Sequence, residues 1–202
     1  RDLESLKVKK VYGFLVYHDD DLLGPSGDEI WATLVEKKAS GHVERIGISV
    51  YDGAQIDRAL DRYDLDVIQV PLNVLDQRLV FGGQLARLRQ SGVEIQARSV
   101  FLQGLLLMEP AQMSGYFSPI LSHLVRWRGA LKRNGLTPAQ GAFAFLRSID
   151  AIDIALVGVE TVTQMDQNLC DFQVGHVCDI DFDSFAINDD RFINPSNWRL
   201  AK

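Results

Sequence analysis

The chain has 202 residues, 47% of them apolar and 24% charged, the balance of a globular domain large enough to bury a core. The formal charge of −6 is spread along the sequence, and the one basic cluster, Lys7, Lys9 and Lys10, is short and runs straight into apolar residues, so the basic face that nucleic-acid phosphates need is missing. The longest nearly uncharged apolar stretch, residues 100–108, is about half the length needed to span a bilayer, and no secretory signal precedes it.

From the N-terminus, "VYGFLVYH" (11–18) reads as a first strand, followed by a helical stripe of Ile30, Trp31, Leu34 and Val35. "VERIGISV" (43–50) is a second strand, and Ile56, Ala59 and Leu60 mark the helix after it. "DVIQVPL" (66–72) and "VEIQARSV" (93–100) give strands three and four. Phe117, Ile120, Leu121, Leu124 and Leu131 then return at helical spacing. "TPAQ" from Thr137 places a Thr cap before Pro at the first helical position and Gln at the third. "IDIALVG" (152–158) is a fifth strand, and "TVTQ" from Thr161 repeats the Thr and Gln spacing at a helix start.

Strands rich in Val and Ile alternating with amphipathic helices predict a parallel α/β fold. A doubly wound dinucleotide fold should carry GxGxxG at its first turn, and that spacing is absent. A (β/α)₈ barrel needs no such motif and carries its chemistry at the carboxyl ends of its strands. Those ends read His18, Ser49, Gln69, Arg98 with Ser99, and Gly158. A polar group buried there without a partner would cost about 1 to 3 kcal/mol. At any single strand a polar end is simply where solvent begins, but four together point to one binding mouth. Cys170 and Cys178 match no CxxC or zinc spacing and the four histidines are scattered, which predicts no metal and a reduced, cytoplasmic setting.

Five segments resemble, in order, the aldo-keto reductases, NAD(P)H-dependent oxidoreductases built on a (β/α)₈ barrel. "FLVYHDDD" is similar to the fourth barrel strand with its active-site His, and "GHVERIGISVYD" to the family's "GKVRxIGVSNF". "VIQVPLNVLDQR" resembles "QVxYNLLxR" of the sixth strand, "ARSVFLQGLLL" resembles "AYSPLAQGLL" of the seventh, and "LVGVETVTQMDQNL" resembles the closing "IPGxxTPEQLxEN". The tail "NDDRFINPSNW" is similar to the C-terminal segment of some members.

The resemblance implies that His18 is catalytic, polarising or orienting the substrate. It places Arg98 against the nicotinamide ring, where the family usually has an aromatic residue and where a guanidinium plane can also stack; pairing with an acidic neighbour is the other use open to that Arg. Ser49 and Gln69 would bind the nicotinamide carboxamide, although the family's Ser-Asn is here Ser49-Val50, so one amide contact is lost. Ser99, Phe101, Gln103 and Gly104 would pass the pyrophosphate. Gly158, Glu160 and Thr161 would bind the adenosine phosphate, and Gln164, Gln167 and Asn168 would lie beside the adenine at a helix N-terminus. NADPH-preferring members supply Lys or Arg to the 2′-phosphate; Gly158, Glu160 and Gln164 supply no positive charge, which leaves the choice between NADH and NADPH open.

The family's catalytic Asp, Tyr and Lys belong to the first three βα units, which the chain does not contain. Residues 1–202 are therefore expected to be a single domain formed by the last five units of such a barrel, strands 4 to 8, with a missing upstream segment or another chain completing the sheet. On this reading the complete protein transfers hydride between NAD(P)H and a small carbonyl or alcohol substrate, and the chain by itself is inactive. The alternative from another class is a non-catalytic nucleotide-binding or regulatory barrel. A serine hydrolase built on "GISVYDG" lacks the GxSxG elbow.

Overall fold

The structure, a computed structural model, describes residues 2–174 and 179–200; Cys178 lies outside them. All five expected strands are present: β1 (Val11–Val16), β2 (Val43–Ser49), β3 (Val67–Pro71), β4 (Glu94–Arg98) and β5 (Ile154–Ala155). They form a parallel α/β sheet in the sequential order β1-β2-β3-β4-β5, with β2 in parallel register with both β1 and β3.

Around the strands run α1 (Asp2–Leu6), α2 (Asp19–Leu23), α3 (Gly27–Ala39), α4 (Gly53–Arg62), α5 (Arg78–Phe81) and α6 (Gln84–Gln90). Three short 3₁₀ helices, Leu105–Leu107, Pro110–Gln112 and Gly115–Ile120, lead into α7 (Leu121–Arg133) and α8 (Pro138–Arg147). After β5 come α9 (Val162–Gln173), a 3₁₀ turn Phe182–Phe185, α10 (Asp190–Ile193) and a last 3₁₀ turn Pro195–Asn197. No helix among the described residues is long and apolar enough to cross a membrane.

The chain forms two compact units, one of Arg1–Pro71 with Leu79–Ala97 and the other of Leu72–Arg78 with Arg98–Lys202. In the first, Ile46, Ile48, Val67, Ile68, Val70 and Ile95 build a buried sheet core, with Ile56 and Ala59 of α4 also fully buried. A β carbon at Gly47 would lie 1.7 Å from the Val67 carbonyl oxygen, so only glycine lets β2 approach β3 this closely. Asp52 caps α4 in a reciprocal box with Gln55. The stripe expected on α3 narrows: Leu34 is buried, Ile30 and Trp31 are half-buried, and Val35 is exposed. Val35 follows Leu34 by one residue, about 100° around the helix, and so turns off the packed face.

In the second unit α8 lies close on α7, where a β carbon at Gly141 would fall 2.1 Å from Leu131 Cδ2. Trp127 packs on Phe185 at 5.4 Å and Phe145 on Phe182 at 5.5 Å, making an aromatic core. The single helix suggested by the spacing from Phe117 to Leu131 is a 3₁₀ helix followed by α7, with Pro119 inside the 3₁₀ segment. Proline has no N–H to donate and disfavours the α region for the residue before it.

Candidate functional site

In the first unit the register pairs Ser49 with Gln69, so their side chains leave β2 and β3 on the same face. The Ser49 hydroxyl donates to Gln69 Oε1 at 3.4 Å, and among the described residues no hydrogen bond engages the Gln69 amide N–H groups. Ser49 is buried and ends β2; Gln69 is half-buried in the middle of β3. Val50, where the resemblance leads one to expect Asn, is fully buried, has no polar side chain, and gives its N–H to the Gln69 carbonyl at 3.0 Å. His18 follows β1 at the N-cap position of α2; its exposed ring meets Tyr17 edge-on at 4.8 Å. No hydrogen bond among the described residues joins it to Ser49 or Gln69.

In the second unit Arg98 closes β4, its Nη1 3.4 Å from Ser99 Oγ. Beyond it the backbone enters the left-handed region four times, at Ser99 (φ 61), Leu102 (φ 46), Gln103 (φ 53) and Gly104 (φ 83). Each non-glycine residue held there costs on the order of 1 to 3 kcal/mol, so the surroundings must impose the shape. Leu102 and Leu105 are buried and pin the loop, while the Ser99 carbonyl accepts from the Leu102 N–H at 2.9 Å and from Asn73 Nδ2 at 3.2 Å. Phe101 packs edge-on against Phe143 at 5.3 Å, and Gln103 stays exposed.

At the start of α9, Thr161 Oγ1 accepts from the Gln164 N–H at 3.1 Å, the cap that the sequence spacing announces. The Gln164 side chain reaches back one residue further than a capping box, taking the Glu160 N–H at 2.7 Å. Gly158, Glu160, Thr161 and Gln164 are exposed, and the first turn of α9 has no basic residue. Gln167 donates to Asp171 at 3.1 Å, and Gln140 donates to the same oxygen at 3.0 Å, which satisfies a buried carboxylate; Asn168 is half-buried. No cluster of three or more His, Cys, Asp or Glu that could hold a metal occurs among the described residues.

Two anchors escape the sequence reading. Asn73 Oδ1 caps the turn after β3 by accepting from the Leu75 and Asp76 N–H groups at 3.0 and 3.1 Å, while its Nδ2 holds Ser99. Arg78 grips the buried Asp76 with two nitrogens, at 2.8 and 2.9 Å, and reaches Asp190 of α10 at 2.6 Å. The available signal was "NVLD", an Asx-turn spacing between strand and helix.

A sequential parallel sheet of five strands alternating with helices defines an α/β protein and is consistent with part of a (β/α)₈ barrel. The profile of the Aldo/keto reductase family matches residues 1–184, and the chain belongs to that family. An aldo-keto reductase from Bacillus halodurans in its apo form superposes with a TM-score of 0.75 at 19% identity, covering 91% of this chain and 63% of its own. The glycerol dehydrogenase from Gluconobacter oxydans superposes with a TM-score of 0.65 at 19% identity, covering 84% of this chain and 55% of its own. The chain thus spans less than two thirds of either structure. No curated protein matches it.

Proposed function

We propose that this chain is the cofactor-holding, C-terminal part of an NAD(P)H-dependent oxidoreductase, forming the last five βα units of its barrel. The complete enzyme would interconvert a small carbonyl compound and its alcohol. The observation that carries this reading is the Ser49–Gln69 pair, two strand side chains in register whose remaining donors and acceptors match a planar carboxamide. The left-handed Ser99–Gly104 loop and the Thr161-capped start of α9 would supply backbone N–H groups for the phosphates, and Arg98 a flat cation for the ring.

When bound, the dinucleotide supplies hydride. The chain's own part is to fix the nicotinamide amide with Ser49 and Gln69, to place the Arg98 guanidinium against the ring, and to orient the substrate oxygen with His18. Phe101, Gln103 and Gly104 would follow the pyrophosphate, Gly158, Glu160 and Thr161 the adenosine phosphate, and Gln164, Gln167 and Asn168 the adenine. On this reading the protonating Tyr, with the Lys and Asp that lower its pKa, belongs to the first three βα units of the barrel, supplied by an upstream segment or by another chain. The reduced, cytoplasmic setting read from the cysteines suits a soluble carbonyl reductase of this kind.

Fluorescence titration of the chain with NADPH and NADH tests the cofactor assignment. Saturable binding, weakened several-fold by Ser49→Ala, is expected from the loss of one hydrogen bond worth about 1 kcal/mol. Absence of binding by either nucleotide would remove the cofactor from the proposal. Nucleotide binding by a longer chain that has no upstream Tyr and Lys would instead favour the non-catalytic barrel.

A further inference from the structure

We propose that Arg78 is a positioning residue for the dinucleotide: it ties the C-terminal segment, residues 186–198, to the turn 73–76, and that turn holds the loop 99–104 in its left-handed shape. The role toward the dinucleotide rests on the reading of this loop as the seat of the pyrophosphate, whereas the linkage is a property of the chain itself.

Ser99, Leu102 and Gln103 hold positive φ without being glycine. That shape is unfavourable for L-residues, so the surroundings of the loop must impose it. The Leu102 N–H bonds to the Ser99 carbonyl at 2.9 Å and the Leu105 N–H to the Leu102 carbonyl at 3.0 Å, bonds that join the loop only to itself. From another element comes Asn73 Nδ2, which donates to the Ser99 carbonyl at 3.2 Å. Asn73 is 1% exposed, and its Oδ1 is committed to the Leu75 and Asp76 N–H groups at 3.0 and 3.1 Å. With its oxygen so fixed the amide cannot turn over, and the turn sets where Nδ2 points.

The turn is fixed in its own right through Asp76. Its carboxylate is buried, and Arg78 meets it with Nε and Nη2 at 2.8 and 2.9 Å. The Nη1 of the same guanidinium donates to Asp190 of α10 at 2.6 Å. Arginine suits this place because its rigid fork serves two carboxylates in fixed directions, where lysine offers a single point charge.

The segment that presents Asp190 is well anchored. The Ile187 N–H bonds to the Leu75 carbonyl at 2.8 Å, Phe192 and Ile193 are buried, the Tyr116 hydroxyl donates to the Arg191 carbonyl at 2.7 Å, and Trp198 packs on Phe117 at 4.9 Å. Tyr116 and Phe117 belong to the 3₁₀ helix Gly115–Ile120, at the far end of the connection that starts at Ser99. The segment therefore grips that connection at one end, and Arg78 with Asn73 sets it at the other. All these residues lie in the second compact unit, and the segment follows the residues 1–184 that the family profile matches.

Hydrogen exchange at the Leu102 and Leu105 amides without nucleotide, followed by NMR, reads the loop, and the α8 amides read the stability of the same unit. Asp190→Ala cuts the tie to the segment and leaves Asp76 paired; exchange at the two loop amides should rise about threefold, as expected for a pair with one exposed partner, with α8 unchanged. Asp190→Glu should keep wild-type exchange. Arg78→Lys retains a charge beside Asp76 but loses the fork, and exchange should rise about tenfold. In fluorescence titrations of that variant NADPH and NADH should weaken by one common factor, at least about twofold and no larger than the rise in exchange. The pyrophosphate is common to both, and apparent affinity scales with the fraction of closed loop. Should Arg78→Lys not fold, Asp190→Ala combined with Tyr116→Phe frees the segment without disturbing Asp76 and carries the same two expectations. Unchanged exchange at Leu102 and Leu105 in these variants overturns the linkage, and so does a rise matched in α8, which would make the effect one of general stability. A loosened loop with unaltered nucleotide affinity overturns the positioning role. A wild-type chain that binds neither nucleotide defeats the cofactor reading and the positioning role with it, while the exchange measurements still decide the linkage.

Discussion

Glu160 is an exposed acid one residue ahead of the Thr161 cap, its N–H committed to the Gln164 side chain at 2.7 Å. If the adenosine ribose sits at this helix start, a 2′-phosphate would bring close to two negative charges toward Glu160, a repulsion on the order of 1 kcal/mol in solvent-exposed surroundings. Glu160→Arg should therefore tighten NADPH by about tenfold and leave NADH nearly unchanged. Paired titrations check this, and an unaltered ratio of the two affinities would show that Glu160 points away from the ribose. The Thr161 cap and the place of Ser49 at the end of β2 were legible because each uses a local rule, a cap spacing or a strand end, whereas Gln69, expected at a strand end, lies in the middle of β3. Asn73 and Arg78 were not legible, because their partners Ser99 and Asp190 lie far along the chain and nothing in the sequence marks the pairing. The left-handed backbone at Ser99, Leu102 and Gln103 was equally hidden, since none of the three residue types ordinarily signals it.

Among the elements, α2, α3 and α4 are joined by one polar clamp. The Tyr63 hydroxyl donates to the Leu22 carbonyl at 2.9 Å and lies 3.2 Å from Asp28, which also receives Arg62 Nε at 3.0 Å. The Arg62 hydrogen bond holds the Asp28 carboxyl below its ordinary value of 3.8 against an opposing desolvation, with the Tyr63 hydroxyl adding to the lowering. A depressed acid contributes stability that is present above the ordinary value and lost as pH falls through the lower folded one. Asp28→Asn should be less stable than wild type at neutral pH, by a small amount because the site is exposed, and the gap should close as pH drops below 3.8. Urea midpoints at a series of pH values measure it; a gap that stays constant would assign the loss to packing instead. The five strands and α3, α4, α7, α8 and α9 were readable as to type, whereas the short helices α1, α2, α5, α6 and α10 carry too few periodic positions to be marked, and extent was not readable. The fifth strand shrinks from 152–158 to Ile154–Ala155, and its residues are only half-buried where an interior strand would be covered on both faces. The apolar residues Val162, Met165, Leu169 and Phe172 do recur at helical spacing on α9, yet all four are exposed, and periodicity alone could not distinguish a covered stripe from an open one.

At the scale of the whole molecule, the family assignment and the 63% and 55% coverage of two relatives bear on what this chain can do unaided. Carbonyl reduction needs an acid to protonate the oxygen as hydride arrives, and a tyrosine serves best when neighbours lower its pKa. The chain has five tyrosines. Tyr12 gives its hydroxyl to Glu94, which pushes its pKa up; burial pushes Tyr63 up, with the Asp28 bond adding to it. Tyr116 donates to the Arg191 carbonyl at 2.7 Å, and the proposed reading gives the proton donor's role to neither Tyr17 nor Tyr51. Losing a general acid commonly costs about 10² to 10⁴ in rate, so the purified 202-residue chain is expected to show no measurable carbonyl reduction even at nucleotide concentrations that saturate it. Steady-state absorbance of NADPH with a panel of aldehydes and ketones provides the measurement. Turnover at ordinary enzyme rates would mean that the proton donor lies within these residues. Loss of that turnover in Tyr17→Phe, beside the His18 ring at 4.8 Å, would then name it.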